Sequence, residues 1–394
     1  MREAGPKIET GGEGREPRAS NRFNRMEWAG AFGDLGTLVP FVVAYVAVVK
    51  VDPFGILLTF GAAMVACGLY YRTPFPVQPM KAIGAVAATQ AAQTATITAA
   101  TVYAASLTTG IVWLVLGLTG LAKHLARLAP RFVVVGIVLG LGIGFMVEGT
   151  KLMNGGWLIA AIGLLGTLLL LTNRVVPAMF LLLAFGIVCG AVERPELLQA
   201  LSSARPSIHW PNFPLGSLTW HDLLIGSTLL ALPQLPLTLG NALIAITEEN
   251  NRLFPDRPVT ENKVACSTGI MNLGSAVVAG VPMCHGAGGM AGHVAFGART
   301  GGAPIILGSI LLVLAVFFSG SMLVFFDLIS RPVLGVILFM TGAQLALGSC
   351  DFSKRKGERF ITLVTAAFAM WNVGLAFVAG ITLAYIERRG WLKL

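Results

Sequence analysis

Charge is scarce in this sequence. Asp, Glu, Lys and Arg make up 12% of its 394 residues, against about 25% in a soluble domain. The remainder is 55% hydrophobic and the mean hydropathy is +0.76. A chain of this length with so little charge, laid out in apolar blocks, does not read as a soluble protein. Cysteine is also scarce. The five that exist, Cys67, Cys189, Cys266, Cys284 and Cys350, are odd in number and lack ligand spacing, so neither a disulfide framework nor a zinc site is expected. No strand-to-helix phosphate loop ending in Lys-Ser/Thr is present, which leaves ATP-driven transport without support. No cofactor and no catalytic residue is expected, and the chain does not read as an enzyme. No short apolar core with a small-residue cleavage site follows the amino-terminal tail, so no cleaved signal peptide is expected. The net charge of +9 is not a nucleic-acid signal, because its cations lie in tails and short loops between apolar blocks.

What the sequence does have is fourteen apolar segments. They fall near 28–49, 54–71, 77–92, 102–122, 130–150, 156–172 and 174–192, then 220–247, 264–280, 283–298, 303–325, 331–348, 359–372 and 374–387. A polar, Pro-rich connection separates the two sets. With the amino terminus in the cytoplasm, 22 of the 28 Lys and Arg residues fall inside and five outside, with Lys81 in the membrane. That bias predicts cytoplasmic amino and carboxyl termini. Seven segments per half then make the halves inverted relative to each other. The fold expected is an all-α polytopic membrane protein built as a seven-plus-seven inverted repeat.

Two of the segments are short and broken at matching places. The third begins in Pro74-Phe75-Pro76-Val77-Gln78-Pro79-Met80-Lys81, where three prolines forbid a continuous helix. The tenth follows Val281-Pro282 and begins Met283-Cys284-His285-Gly286-Ala287-Gly288-Gly289. Broken segments at corresponding places in two halves point to a transporter site. Half-helices that start near the midplane offer unpaired N–H groups and the positive end of the helix dipole, and both suit an anion. The candidate binding residues are Thr37, Gln78, Met80, Lys81, Gln234, Thr238, Asn241, Cys284, His285 and Gly286. Lys81 can assist the anion, pair with Asp34, or snorkel to the cytoplasmic face. Asp34 can carry a coupling proton or bond to backbone N–H groups. His285 can line the site or pack against a carbonyl. Glu248 and Glu249 are expected at a solvated helix end, and the glycines of 136–144 as a packing face.

Four blocks carry a resemblance. Gly33-Asp34-Leu35-Gly36-Thr37, Pro76-Val77-Gln78-Pro79-Met80-Lys81, the stretch from Pro233 to Asn241, and Pro282 to Gly289 resemble the signature blocks of the molybdate transporter family, a branch related to the sulfate permease (SulP) group. Phe296 to Gly301 also fits. The resemblance implies a core domain of segments 1–4 and 8–11 and a gate domain of segments 5–7 and 12–14, with half-helices in segments 3 and 10. On this chain that gives core pieces over 26–128 and 220–326, after residues 1–25, whose Gly-, Arg-, Glu- and Pro-rich composition predicts a disordered cytoplasmic tail. The gate pieces span 129–192 and 327–388, an extracytoplasmic linker 193–219, and a cytoplasmic end 389–394. It further implies molybdate import across the cell membrane by an elevator-like movement of core against gate, with Asp34 as the candidate for proton coupling. Expected partners are the molybdate oxyanion, membrane lipids and a second copy met through the gate. The alternatives are sulfate or tungstate as substrate on the same fold, or a passive anion channel.

Overall fold

The computed structural model describes residues 20–389, except 48, 82, 85–96, 128–129, 172, 174–177, 204, 348–351 and 372. Most of the third segment and Cys350 therefore lie outside the described residues. So do most of the amino-terminal tail and all but the first residue of the expected carboxyl-terminal piece. The described residues form helices and one two-stranded link.

The first half opens with α1 (Arg25–Ala31), whose free N–H groups are capped by the Asn24 side chain. A 3-10 turn, Phe32–Asp34, joins it to α2 (Leu35–Ala47). The last described residues of the tail are held rather than free. The Asn21 amide donates to the Gly68 carbonyl at 3.0 Å, and the Arg22 N–H donates to Thr300 Oγ at 3.1 Å. Helix α3 (Pro53–Tyr71) starts on an Asp52 cap with proline at its first turn and ends at Arg72 in the left-handed region. After β1 (Gln78–Pro79) come α4 (Ala99–Leu118), α5 (Leu121–Arg127), α6 (Arg131–Met153), α7 (Trp157–Leu170), α8 (Ala178–Glu193) and α9 (Glu196–Ser203).

The second half opens with a nearly unbroken helical run from Trp220 to Leu253. It comprises α10 (Trp220–Ile225), a π-helical stretch Gly226–Ala231, α11 (Leu232–Leu237), a second π stretch Thr238–Ala245 and α12 (Ile246–Leu253). Pro233 and Pro236 do not break it. Proline has no N–H for the i−4 carbonyl, and widened turns on either side accommodate the loss. Then come α13 (Glu261–Val277), β2 (Met283–Cys284), α14 (Ala287–Ala295), α15 (Gly302–Phe318), α16 (Met322–Asp327), α17 (Arg331–Leu347), α18 (Lys356–Trp371) and α19 (Val373–Arg388). By length and composition alone, four described stretches can cross a membrane: Pro53–Tyr71, Ala99–Leu118, Arg131–Met153 and Gly302–Asp327. The others are shorter or are broken, as α8 and α9 are by a bend of 105°.

Packing has the pattern of a twofold-related repeat. Helix α3 lies along α15, and α13 lies along α4, which is the same pair with the halves exchanged. Helix α6 lies along its own counterpart, α17. Glycines let these two backbones touch. A Cβ on Gly142 would sit 2.6 Å from the Ala346 nitrogen, and one on Gly335 would sit 2.6 Å from the Gly149 carbonyl oxygen.

One expectation is overturned here. Glu248 is exposed, but Glu249 is buried and makes a two-pronged ion pair with Arg252, the closest contact being 2.8 Å. The cause is the returning loop. Asn250 donates to the Arg257 carbonyl at 2.9 Å and Asn251 to the Val259 carbonyl at 3.0 Å, which folds the chain back over the helix end.

Candidate functional site

Proline chemistry and strand pairing build the site together. Residues 73–77 leave α3 without helical structure, and β1 then pairs antiparallel with β2, Gln78 opposite Cys284 and Pro79 opposite Met283. Exposed strand edges are not tolerated at membrane depth, and here they are covered. The Met80 N–H donates to the Pro282 carbonyl at 2.9 Å. Asn272 of α13 grips Met283 from both sides, accepting from its N–H at 2.9 Å and donating to its carbonyl at 2.6 Å. Two unwound stretches from opposite halves thus meet in the middle of the protein. Helical structure resumes at Lys81 on one side and, on the other, at α14 after Gly286, with no side-chain cap. The first N–H groups of α14 therefore face the junction.

The acidic side of the site is a closed triangle. Asp34 is fully buried. The Thr37 hydroxyl donates to its carboxylate. Gln78 Nε2 donates to Asp34 Oδ1 at 2.5 Å and to Thr37 Oγ at 2.7 Å. Lys81 makes no hydrogen bond to Asp34, whose Oδ1 takes both donors and whose Oδ2 has no partner. The Lys81 ammonium is buried without a hydrogen-bond partner and lies 3.8 Å over the ring of Phe145 from α6. The same ring touches the other half-helix: a Cβ on Gly288 would sit 2.8 Å from Phe145 Cζ. Phe145 thus stands between Lys81 and the start of α14.

The other candidates are placed as follows. Asn241, in the second π stretch, is buried beside Gly286, with its Oδ1 unpartnered. Gln234 accepts the Ile83 N–H at 3.3 Å and donates to Thr238 Oγ at 3.0 Å, so this pair braces the helical turn that carries Lys81. Met80 and Cys284 are buried at the ends of the two strands. His285 points toward α13. Its Nδ1 donates to the Pro76 carbonyl at 2.8 Å, which leaves Nε2 to accept from Ser267 Oγ at 2.7 Å. The Phe75 and Tyr71 rings flank it edge-on at 4.9 and 5.9 Å. Both ring nitrogens are therefore occupied by protein.

Buried polar atoms are normally paired. Nine side-chain atoms among the described residues are not, and four belong to this site: Asp34 Oδ2, Gln78 Oε1, Lys81 Nζ and Asn241 Oδ1. A fifth, the Tyr45 hydroxyl, stands next to Gly84, and a Cβ there would be 3.3 Å away. A buried ammonium with no acid bonded to it and an uncapped helix start thus lie against the same aromatic ring. Sequence reasoning missed Phe145 and Tyr45. Both lie in apolar runs, and only the fold brings them to the junction.

Fold and site together define a multi-pass membrane anion transporter. A family model described as "Molybdate transporter of MFS superfamily" matches residues 26–145 and again 226–345, two equal stretches that start 200 residues apart. The chain belongs to the molybdate transporter family. It is 30% identical to molybdate transporter 2 of Arabidopsis thaliana over 91% of its own length and 86% of that protein, and 28% identical to molybdate transporter 1 of the same plant over 91% and 87%. Among solved structures, it shares the fold of the transmembrane domain of the cyanobacterial bicarbonate transporter BicA (TM-score 0.53, 15% identity, 92% of this chain and 97% of that one). It also shares that of murine Slc26a9, an anion transporter in the inward-facing state (TM-score 0.61, 10% identity, 95% and 70%). These neighbours tie the family to the sulfate permease fold with its core and gate.

Proposed function

We propose that this protein imports molybdate across the cell membrane as a secondary transporter, with the anion held where the two half-helix starts meet. The observation that carries this reading is the Lys81 ammonium, buried and without a hydrogen-bond partner, over the same Phe145 ring that the uncapped start of α14 meets. The backbone N–H groups of α14 and the Lys81 charge would share the dianion, with Asn241 and the Tyr45 hydroxyl at its flank. Gln234, Thr238 and His285 act by holding the two starts in place. Residues 26–128 and 220–326 form the moving core, and 129–192 and 327–388 the gate. Phe145 reaches from the gate to Lys81, so the anion lies at the boundary across which core and gate slide. The amino and carboxyl termini lie in the cytoplasm. The gate helix α7, which exposes Leu158, Ile162, Leu165 and Leu169, meets lipid or a second copy.

Import needs a coupled cation or a steep concentration gradient. Each charge moved against a negative-inside potential costs about 2.3 kcal/mol per 100 mV, so a dianion costs about twice that. Asp34 is the coupling carboxylate. The test is uptake of molybdate into proteoliposomes with and without an inward proton gradient, with sulfate and tungstate as competitors. Uptake that follows the gradient and resists excess sulfate supports the reading. Indifference to the gradient removes the coupling, equal competition by sulfate removes the substrate assignment, and large unitary currents make the protein a channel.

A further inference from the structure

Gln78 lies beside the buried carboxylate at the start of α14: a Cβ on Gly289 would sit 2.8 Å from both Asp34 Oδ2 and Gln78 Nε2, while Gln78 Oε1 faces Gly286. At present Nε2 is committed to Asp34 Oδ1 and Thr37 Oγ. Oε1 is therefore turned the other way, without a partner, against Gly286, the residue that opens α14. An ionised carboxylate only accepts hydrogen bonds. As long as Asp34 is ionised, it holds the amide N–H toward itself and leaves an acceptor oxygen facing the place where an anion would sit. Half a turn about the terminal amide torsion exchanges the two faces, and that torsion is broad and roughly two-fold. With Asp34 ionised, the turn would set Oε1 against a carboxylate oxygen. With a proton on Asp34, the acid O–H donates to Oε1, and Nε2 comes round to Gly286 as a donor.

We propose that Gln78 links the protonation of Asp34 to anion binding: its carboxamide turns when Asp34 takes up a proton and only then offers N–H to molybdate. This rests on the reading of the junction as a molybdate site. The step is a proton uptake and a bond rotation, and no covalent bond to the anion forms or breaks. Other groups that face Asp34 must be separated from it. His293 on α14, Lys81 beyond β1 and the Cys284 thiol on β2 are its charged or titratable neighbours. His293 Nδ1 donates to the Gly30 carbonyl at 2.8 Å. Thr37 of α2 does not titrate, and Thr341 of α17 reaches this turn only through the Gly33 carbonyl, at 3.2 Å.

The experiment is calorimetric titration of molybdate into the purified full-length protein, over the near-neutral to alkaline range in which molybdate stays a monomeric dianion. Wild-type affinity is expected to tighten as pH falls, by up to about tenfold per pH unit for one linked proton. Asp34→Asn keeps an oxygen and adds a permanent N–H donor, so it should bind with the wild-type low-pH affinity at every pH. Gln78→Leu should bind weakly with no slope, and His293→Gln should keep the wild-type slope. The proposal is overturned if Asp34→Asn keeps the slope, if His293→Gln abolishes it, or if sodium at fixed pH reproduces the tightening. Wild-type protein that binds no molybdate at any pH overturns the site assignment itself, whereas a slope surviving in Asp34→Asn or in Gln78→Leu overturns only the link from Asp34 through Gln78.

Discussion

The two half-helix starts meet at one junction and are built by opposite means. The start after β1 is built of side chains: three prolines fix the backbone, Gln78 holds Asp34, and Lys81 brings a full charge. The start after β2 is built of bare backbone, with glycine at 286, 288 and 289 and no side-chain cap. In the proposed site, one side would supply field and the other access. The glycine side needs its bareness because Phe145 and Gln78 already press on it: added carbons at 286 and 288 would run into those two side chains. The repeats therefore share a backbone plan and differ in chemistry. Loss of charge should harm function alone on the first side, and added bulk should harm function on the second.

The largest effect is expected at Lys81. Lys81→Met should lower molybdate uptake in proteoliposomes by on the order of 100-fold or more, because a buried charge contact to a ligand is worth roughly 2–5 kcal/mol. The same change should raise the thermal stability of the ligand-free protein. An unpaired buried cation costs several kcal/mol, and its replacement by a well-packed apolar side chain gains roughly 1–4 kcal/mol. Opposite signs in the two assays identify a charge kept for the ligand. A fall in both would make Lys81 a structural cation and erase the contrast between the starts.

Next comes Gly288→Ala on the bare side. The new methyl group meets the Phe145 ring, and overpacking of this kind costs about 1–3 kcal/mol, so uptake should fall roughly 10- to 100-fold. Shrinking the neighbour tests the cause. Gly288→Ala combined with Phe145→Ala should recover part of the lost uptake relative to Gly288→Ala alone. If the double variant is as poor as the product of the singles, the two residues do not share one space.

How much of this was legible in the chain follows from which interactions are local. The prolines at 74, 76 and 79 announce a break wherever they sit, and the low charge and apolar blocks announce a membrane protein, so the membrane class and both breaks could be read directly. The pairing of Gln78 with Cys284 could not, since it depends on two breaks some 200 residues apart landing in register. Phe145 looks like any apolar residue of a glycine-rich helix, and only the crossing of α6 with α17 aims it at Lys81. Glu249 looked solvated because nothing near it in sequence shows that residues 254–260 fold back over it. His285 was open between two roles for the same reason: Pro76 and Ser267 come from other segments.

The smallest effects should fall on the anchors that hold each start without touching the anion, and they rank in a definite order. His285→Ala removes the donor to the Pro76 carbonyl and the acceptor for Ser267. Each orphaned buried group costs about 1–3 kcal/mol, so a fall in thermal stability should exceed any change in molybdate affinity. On the first side, Thr73 donates to Asn250 Oδ1 at 2.8 Å; on the second, Ser275 donates to the Val281 carbonyl at 2.8 Å. Thr73→Val and Ser275→Ala each remove one such bond and should cost about 1 kcal/mol of stability, with molybdate affinity unchanged within about twofold. The informative result is asymmetry. A bare-backbone start has only its strand and its anchors to keep its N–H groups aimed, whereas the charged start also has Lys81, whose field falls off slowly with distance. If either anchor moves affinity, it should be Ser275. A loss of affinity in Thr73→Val with none in Ser275→Ala would reverse the assignment of which start depends on geometry and which on charge.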